Sequence, residues 1–430
     1  MLQKTLVHRI YSDVRVLFTI VGIVLYLLAA HQYIYFVVPK YGYMGVLLEF
    51  NLLKSVVALV IYLSSFLLLF LKNSNFIRAF SSLLIVLFLL PELLIFQFMD
   101  DNLHFILATI FMLVLINWTE LLIPIPKAKR LMKKQVSLLL FILLVLFLIP
   151  FLLAYKTNFS SSLFQFGSEL YAIRAEVSED GNILTGYLLS PFVQYLLPMA
   201  AVYGLIERKW FLTILSVLVS IVIYSMIPQK SLFFGIFAVI FFYFFKNPLK
   251  KVLVFTTLII TVLIIGMYLV ATKDSLMVES LLLRRYLVVP AQLNIEYYNY
   301  FKEPLYYSYS FLKSFYTYPY DVMPPFLIGR EVYHSNVTHA NNGFMSDAYI
   351  NLGLYGLYGF TFIVSLTLKY FDRLNIDARF FGIFFLLLNF FRSSALPTTF
   401  LTHGLWFFIL TGFFILRRDE ISNFLVSKKQ

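Results

Sequence analysis

The sequence contains no cysteine, so disulfide bonds, thiol catalysis and cysteine-ligated metal sites are excluded. Charged residues are also scarce: they make up 13% of the 430 residues, whereas an ordinary globular domain carries about 25%. Hydrophobic residues make up 61%. This balance excludes a water-soluble fold of this length.

The apolar residues fall in blocks of about 20, the length of a helix that crosses a hydrocarbon core roughly 30 Å thick. Only helices satisfy every backbone hydrogen bond in such blocks, and the blocks lack the alternation of membrane β-strands. The sequence therefore predicts an all-α polytopic membrane protein, with a single integral membrane domain over residues 1–430. We place about twelve transmembrane spans, at residues 16–38, 51–71, 79–98, 103–123, 136–155, 188–206, 210–227, 231–245, 252–271, 344–368, 379–392 and 398–416.

The distribution of basic residues predicts the orientation of the chain. With the N-terminus inside, 22 of the 34 lysines and arginines fall in short inner connections, in agreement with the positive-inside rule. The net charge of +12 is therefore interpreted as membrane topology, and no nucleic-acid partner is expected. Both termini are expected in the cytoplasm. Two long connections, residues 156–187 and 272–343, are expected on the outer face.

Short inner connections leave no room for a cytoplasmic catalytic domain. The sequence has no P-loop and neither of the hydrolase signatures H-E-x-x-H and G-x-S-x-G. His334, His339 and His403 are too few and too scattered to predict a metal site, and no cofactor is expected. Any chemistry is predicted at or beyond the outer membrane surface.

Basic residues on the outer side run against the positive-inside rule and are the first candidate site residues. They are Arg174, Lys230, Lys273, Arg284, Arg285, Arg330 and Arg392. Snorkelling to water explains any single one equally well. Snorkelling explains Lys230 and Arg392 less well, because each lies at the end of a span among apolar neighbours. A charge near the bilayer interior raises the free energy of membrane insertion by roughly 2.5–3.5 kcal/mol. Several such cations together would bind phosphate or pyrophosphate, whose oxygens match the guanidinium fork.

Tyrosine is concentrated between residues 297 and 320, in the stretch YYNYFKEPLYYSYSFLKSFYTYPY. One interpretation is an aromatic belt at the level of the lipid headgroups. The other is a platform on which sugar rings stack while the phenol hydroxyls hydrogen-bond to them. Tyr298, near the start of this stretch, is a candidate substrate contact.

The stretch HANNGFMSDAYINLGLYGLYGF at 339–360 runs from polar residues directly into a span. Glycine recurs there at every third position, as Gly353, Gly356 and Gly359. Such spacing lets a neighbouring backbone or a ligand approach closely, so helix packing and ligand binding both explain it. Asn342 and Asp347 place polar groups at the outer mouth of the span. Their position directly after the long outer segment favours part of a site.

Taken together, the chain resembles the oligosaccharide repeat-unit polymerases, the Wzy-type enzymes of O-antigen and capsule synthesis, which are similar to the O-antigen ligases. The resemblance covers the layout, with about a dozen spans and a long outer connection before the last few. It also covers four short motifs: LYAIR at 170–174, QKS at 229–231, RRYLVVP at 284–290 and NNGFMSDAYINLGLYG at 341–356. It implies a GT-C-like helical architecture in a bacterial plasma (inner) membrane.

The resemblance implies a metal-independent glycosyltransferase that moves a growing glycan from undecaprenyl pyrophosphate to a new lipid-linked repeat unit. The expected pyrophosphate and substrate contacts are Arg174, Lys230, Arg284, Arg285, Arg392, Asn342 and Tyr298. His339 is the first candidate for the general base and Asp347 the second. The related ligases carry a histidine where this chain has Asn342. The implied partners are the lipid-linked oligosaccharide and membrane lipid, and the family also allows for a chain-length regulator protein.

Two alternatives stay open at this point. A lipid-linked oligosaccharide flippase, which is a transporter and not an enzyme, also has about twelve spans and a basic lumen. Flippases have short connections on both sides and charges within the spans, so the long segment 272–343 disfavours this alternative. An O-antigen-ligase-like glycosyltransferase would share the chemistry and differ in its acceptor.

Overall fold

The computed structural model describes residues 13–99, 103–118, 123–125, 131–155, 182–273 and 275–418, except for the side chains of residues 230–232. Every regular element in these ranges is helical, which confirms the predicted all-α class for this part of the chain. The helices are α1 (Val14–Met44), α2 (Leu52–Phe70), α3 (Asn75–Phe98), α4 (His104–Asn117), α5 (Lys133–Ala154), α6 (Ile183–Ile206), α7 (Trp210–Met226), α8 (Lys230–Tyr243), α9 (Pro248–Lys273), α10 (Glu279–Val288), α11 (Val289–Tyr300), α12 (Pro324–Glu331), α13 (Phe344–Arg373), α14 (Gly382–Ser393), α15 (Leu396–Leu401) and α16 (Leu405–Leu416).

Seven of these helices are long and apolar enough to cross a membrane, namely α1, α2, α3, α5, α6, α9 and α13. Shorter apolar helices occur in α4, α7, α8 and α16. Each of the twelve predicted spans overlaps a helix, but only seven of those helices reach spanning length among the described residues. The chain therefore has the helices of a polytopic membrane protein, and the number of twelve crossings stays a prediction.

The chain divides into two compact units. The first unit contains Met1–Ile123, Pro248–Tyr370 and Phe391–Leu396, and thus α1–α4, α9–α12, most of α13 and the end of α14. The second unit contains Pro124–Asn247, Phe371–Phe390 and Pro397–Gln430. Most of the predicted site residues belong to the first unit.

Helix α3 forms the centre of the first unit. Its residues from Ala79 to Phe98 are all buried, whereas α1, α2 and α9 bury only 28% of their most apolar stretch. This contrast is expected for a central helix surrounded by helices that face lipid. Polar contacts fix the arrangement, because the Tyr26 hydroxyl donates to Gln97 at 2.7 Å and Gln97 donates to Ser55 at 3.1 Å.

Helix α13 is interrupted at Gly353, where φ is 63° and ψ is −152°, a conformation that is open only to glycine. The interruption leaves carbonyl groups at the end of the first half of α13. The outer segment caps two of them: Leu305 N–H donates to Ile350 at 2.8 Å, and Tyr306 N–H donates to Asn351 at 3.1 Å. Unpaired carbonyls are costly in an apolar setting, so this cap supports the broken helix.

Candidate functional site

Arg284 lies in α10, a helix of π-type winding, and is only 8% exposed. Its guanidinium lies 4.3 Å from the centroid of the Tyr41 ring, and its Nη1 donates to the Met44 sulfur at 3.3 Å. Its Nε has no hydrogen-bond partner among the described residues. Arg284, which the sequence singled out, is thus a buried cation held by an aromatic face and a thioether.

Arg392 lies near the end of α14 and is 5% exposed. One of its amino groups donates to the backbone carbonyl of Tyr286 in α10, and its guanidinium carbon lies 4.6 Å from the centroid of the Tyr286 ring. Its Nε and Nη1 find no partner in the described part of the chain. The structure thus brings Arg392 into contact with α10, the helix that contains Arg284, although the two arginines are 108 residues apart in the sequence.

Neither arginine has a carboxylate within salt-bridge distance in the described ranges. Arg330 shows the contrast. Its two amino groups bind the Asp321 carboxylate at 2.7 and 2.9 Å, and its Nε binds Glu331 at 2.8 Å, on the surface. Arg330 is therefore a neutralised surface residue, whereas Arg284 and Arg392 are buried cations with unused donors.

A small cavity of about 20 Å³ lies beside Arg392 and is also lined by Glu92 and Asn294. Glu92 is 5% exposed, and one of its carboxylate oxygens accepts a hydrogen bond from Asn294 at 2.6 Å. Arg392 interacts electrostatically with Glu92 without an ion pair. A cavity of this size has room for about one water molecule or one hydroxyl group.

Asn342 precedes α13 and is 7% exposed, and its side-chain amide nitrogen is unpartnered among the described atoms. Gly343 follows it and lines the cavity. A Cβ atom on Gly343 would lie 2.6 Å from the carbonyl oxygen of Arg392, so only glycine allows α13 to begin this close to α14. The start of α13 and the Arg392 region therefore share one wall of the cavity.

Asp347, the second candidate for the general base, is engaged by the tyrosine-rich segment. Its two carboxylate oxygens accept from the Tyr307 hydroxyl at 2.9 Å and the Tyr309 hydroxyl at 3.2 Å. Asn351 donates to Tyr309 at 2.9 Å and accepts from the backbone N–H of Tyr307 at 2.9 Å. Asp347 is 3% exposed. Its geometry is that of a buried anchor for the outer segment.

His339, Arg285 and Tyr298 lie away from the cavity. His339 and Arg285 are exposed, and the His339 ring packs on Phe326 with centroids 4.1 Å apart. Tyr298 packs between His104, at 5.7 Å, and Tyr349, at 4.6 Å. The structure therefore does not bring these three predicted residues onto the buried arginines.

Arg174 lies outside the described residues. Lys230 begins α8 in the second unit, and its side chain is likewise outside the described part. Their predicted roles therefore stay predictions.

The tyrosine-rich segment forms stacked pairs. Tyr306 and Tyr316 stack with ring centroids 5.0 Å apart and are 43% and 47% exposed, whereas Tyr318 lies 5.6 Å from Tyr309 and 5.5 Å from Tyr320. Tyr306 also lines an apolar groove of about 730 Å³ along α13, with Gly353, Gly356 and Gly359 on its floor. The three glycines that the sequence singled out therefore line a groove, and Gly356 also packs closely against Ala348 in the first half of α13.

A second buried glutamate, Glu296 of α11, lies against the turn after α1. Gln292 donates to its carboxylate at 2.7 Å and to the Met44 carbonyl at 2.9 Å, and Gly45 approaches both side chains with φ at 77°. Burial raises the pKa of the Glu296 carboxyl to about 7, although hydrogen bonds from Tyr333 and Gln292 favour its charged form. This contact fixes the turn that carries Tyr41 and Met44 against α11.

Glu92, Asn294 and Tyr286 are not among the site residues predicted from the sequence. Glu92 carried a signal, since an acidic residue within an apolar span is rare and usually functional. Asn294 and Tyr286 could not be recognised from the sequence. Asn294 is an amide within a polar segment, and Tyr286 binds Arg392 partly through its backbone carbonyl.

Comparisons with family models, with curated proteins and with solved structures give no match for this chain. The described residues define the class of the protein as α-helical, with seven helices of membrane-spanning length among them. Two buried arginines distinguish it: Arg284 lies in α10, and Arg392 of α14 contacts Tyr286 of α10.

Proposed function

We propose that this protein polymerises lipid-linked oligosaccharide repeat units on the outer face of a bacterial plasma membrane. In this proposal the growing glycan is transferred from undecaprenyl pyrophosphate to a new repeat unit. The observation that carries the proposal is the pair Arg284 and Arg392, two buried cations with unused N–H donors and no salt bridge in the described ranges.

A buried cation without a salt bridge is unfavourable, so such residues usually serve a ligand of opposite charge. The guanidinium fork matches the oxygens of phosphate groups. Arg284 belongs to α10 and Arg392 donates to a carbonyl of α10, and each keeps unused N–H donors for an anion. The phosphate groups of a lipid pyrophosphate are such anions.

The ligand must also be apolar in part, because the arginines belong to a unit built of apolar helices. The groove along α13 has a volume of about 730 Å³ and an almost entirely apolar lining, which suits a lipid chain. The exposed, stacked rings of Tyr306 and Tyr316 beside it suit the faces of sugar rings. Together these features support an amphiphile with a lipid tail, a phosphate group and a glycan.

In the proposed reaction, a hydroxyl oxygen of the acceptor sugar forms a bond to the anomeric carbon of the donor. The bond from that carbon to the phosphate oxygen breaks, and undecaprenyl pyrophosphate leaves with the electron pair. Fixed arginines stabilise the negative charge that develops on the leaving oxygen, so the reaction does not require a metal ion. Arg174 and Lys230 stay candidates for further phosphate contacts.

The finer architecture belongs to the same proposal. A repeat-unit polymerase implies about twelve crossings, a GT-C-like arrangement, both termini in the cytoplasm and the segments 156–187 and 272–343 outside. A chain-length regulator is a further partner that the family allows. The positive-inside distribution of lysine and arginine supports this orientation.

Deletion of the gene followed by gel analysis of the surface glycan tests the proposal against its alternatives. A polymerase deletion leaves single repeat units attached to the final acceptor. Complete polymer that stays on the lipid carrier would instead indicate an O-antigen-ligase-like enzyme. Loss of both products would indicate a flippase, and either of these last two results would overturn the proposal.

A further inference from the structure

We infer that Glu92 of α3 accepts the proton of the acceptor hydroxyl in the proposed glycosyl transfer. The inference rests on the proposed function and names a residue that the sequence motifs did not select. Its basis is the cavity that Glu92 shares with Arg392 and Asn294.

The Glu92 carboxylate and the Arg392 guanidinium, which binds phosphate in the proposed function, both line this small cavity. Of the residues that line it, only Glu92 and Arg392 are ionisable, and the ring of Tyr286 lies under the Arg392 guanidinium. The volume of about 20 Å³ admits a group the size of one hydroxyl. A sugar hydroxyl in this space would lie beside the Glu92 carboxylate that takes its proton, while the rest of the acceptor, the donor and its phosphate lie outside the cavity.

The orientation of Glu92 is fixed by its neighbours. Asn294 donates to one carboxylate oxygen at 2.6 Å, so the side chain is held towards α11. Pro91 precedes it within α3 and also lines the cavity. A general base has to be held within hydrogen-bond reach of the proton it removes, and a buried, hydrogen-bonded carboxylate meets this requirement.

The other candidates are less well placed. Both carboxylate oxygens of Asp347 already accept hydrogen bonds from tyrosine hydroxyls. His339 is exposed and packs on Phe326, and it does not line the cavity. Glu296 is buried against the turn at Gly45 instead. Unlike Asp347, His339 and Glu296, Glu92 thus lines a cavity together with a buried arginine.

The step balances without a further reactant. The acceptor oxygen forms a bond to the anomeric carbon and gives its proton to the Glu92 carboxylate. The bond between the anomeric carbon and the phosphate oxygen breaks, and the pyrophosphate takes the electron pair. The protonated Glu92 then releases its proton to water once the product leaves.

The test compares Glu92→Gln and Glu92→Ala with the parent protein in liposomes, using lipid-linked repeat units extracted from cells that lack this gene. Glutamine keeps an oxygen that can accept from Asn294 but cannot take a proton. We expect Glu92→Gln to lower kcat by about 100-fold or more, the usual contribution of a general base. We also expect it to remove the decline of the parental kcat at low pH. Glu303→Gln, at an exposed position, is the control for loss of an acidic group.

Azide separates proton transfer from a positioning role. Azide is already an anion and needs no base, so Glu92→Ala with sodium azide should form glycosyl azide and release undecaprenyl pyrophosphate, detected by mass spectrometry. A defect in Glu92→Gln without glycosyl azide in Glu92→Ala would overturn the inference in favour of a positioning role. So would activity of Glu92→Gln within about threefold of the parent.

If Glu92→Gln does not accumulate in membranes, Glu92→Asp is measured instead. A shift in the pH at which kcat declines supports the inference, and an unchanged pH profile overturns it. If the parent protein itself elongates no glycan from these lipids, the proposed function fails. That result is distinguishable from failure of the Glu92 inference alone, in which the parent is active and the variant is unaffected.

Discussion

Arg392 donates a hydrogen bond to the backbone carbonyl of Tyr286, and its guanidinium carbon lies 4.6 Å from the centroid of the same tyrosine ring. The contact joins the end of α14 to α10 and leaves Nε and Nη1 of Arg392 without a partner in the described chain. A cation held in this way is oriented and has no salt bridge in the described chain. In the proposed function its two unused donors bind the phosphate of the lipid carrier.

Replacement of Arg392 tests this role. We expect Arg392→Ala to abolish glycan elongation while the protein still inserts, because the charge that stabilises the leaving group is removed. Arg392→Lys keeps the charge but loses the planar fork, so we expect kcat to fall at least about 10-fold. Elongation is measured in liposomes and insertion by the yield of protein in membranes.

Arg330→Ala is the matched control, since Arg330 is an outer arginine that is already paired with Asp321 and Glu331. It should elongate glycan at the parental rate. A normal ladder from Arg392→Ala, or equal losses from both variants, would contradict a specific role for Arg392.

Several features could be predicted from the sequence because they depend on local composition. The helices of α1, α3 and α9 follow from apolar blocks of spanning length. The predicted bounds of α3 and α9 agree with the structure to within four residues, whereas α1 continues six residues beyond its predicted end. Arg284 and Arg392 could be selected as unusual because outer cations in apolar surroundings run against the positive-inside rule.

Other features depend on contacts between residues that are distant in the sequence. The hydrogen bond between Glu92 and Asn294 joins residues 202 positions apart, and no periodicity indicates it. Asp347 looked like a free acid at the mouth of a span, but Tyr307 and Tyr309 fold back onto it. The glycines of α13 suggested packing or a ligand, and only the dihedral angles show that Gly353 breaks the helix.

The anchor at Asp347 predicts a loss of stability on substitution. Asp347→Ala removes the acceptor of two buried tyrosine hydroxyls, and hydrogen bonds to a charged group contribute about 1.5–3 kcal/mol each. We expect a lower Tm in detergent and faster proteolysis between residues 301 and 323. Asp347→Asn should lose less, because its amide oxygen still accepts one hydrogen bond.

Asp321→Ala is the control for this experiment, because Asp321 is an exposed acid of the same segment that pairs with Arg330. Its Tm and its proteolysis should match the parent. If Asp347→Ala were as stable as Asp321→Ala, the proposed anchor would have no energetic role.

Three glycines of α13 provide a graded test of the helix break. Gly353→Ala has open space for its Cβ but a φ of 63°, so it should destabilise by roughly 1–3 kcal/mol through backbone strain alone. Gly356→Ala would place its Cβ 2.3 Å from the Ala348 carbonyl oxygen and should destabilise through a clash. Gly359→Ala meets neither obstacle and should keep the parental Tm. Equal Tm values for all three variants would contradict the break at Gly353.

Glu296 predicts a dependence of stability on pH. Burial raises the pKa of the Glu296 carboxyl from 4.5 to about 7. Between about pH 4.5 and pH 7 the folded protein therefore keeps a proton on Glu296 that the unfolded chain has lost. The contribution of Glu296 to stability is therefore present below about pH 4.5 and is lost as the pH rises towards 7, with a total of about 3 kcal/mol. Glu296→Gln should remove this decline, so the variant should melt above the parent at pH 8. Parallel Tm curves for parent and variant from pH 4.5 to 8 would contradict the assignment.

The most direct test of the central claim is glycan elongation by the purified protein in liposomes, with lipid-linked repeat units as the only substrate. We predict a ladder of longer lipid-linked glycans, together with release of one undecaprenyl pyrophosphate for each repeat unit added. Arg284→Ala should give no ladder under the same conditions. Absence of elongation by the parent protein, or a full ladder from Arg284→Ala, would contradict the account.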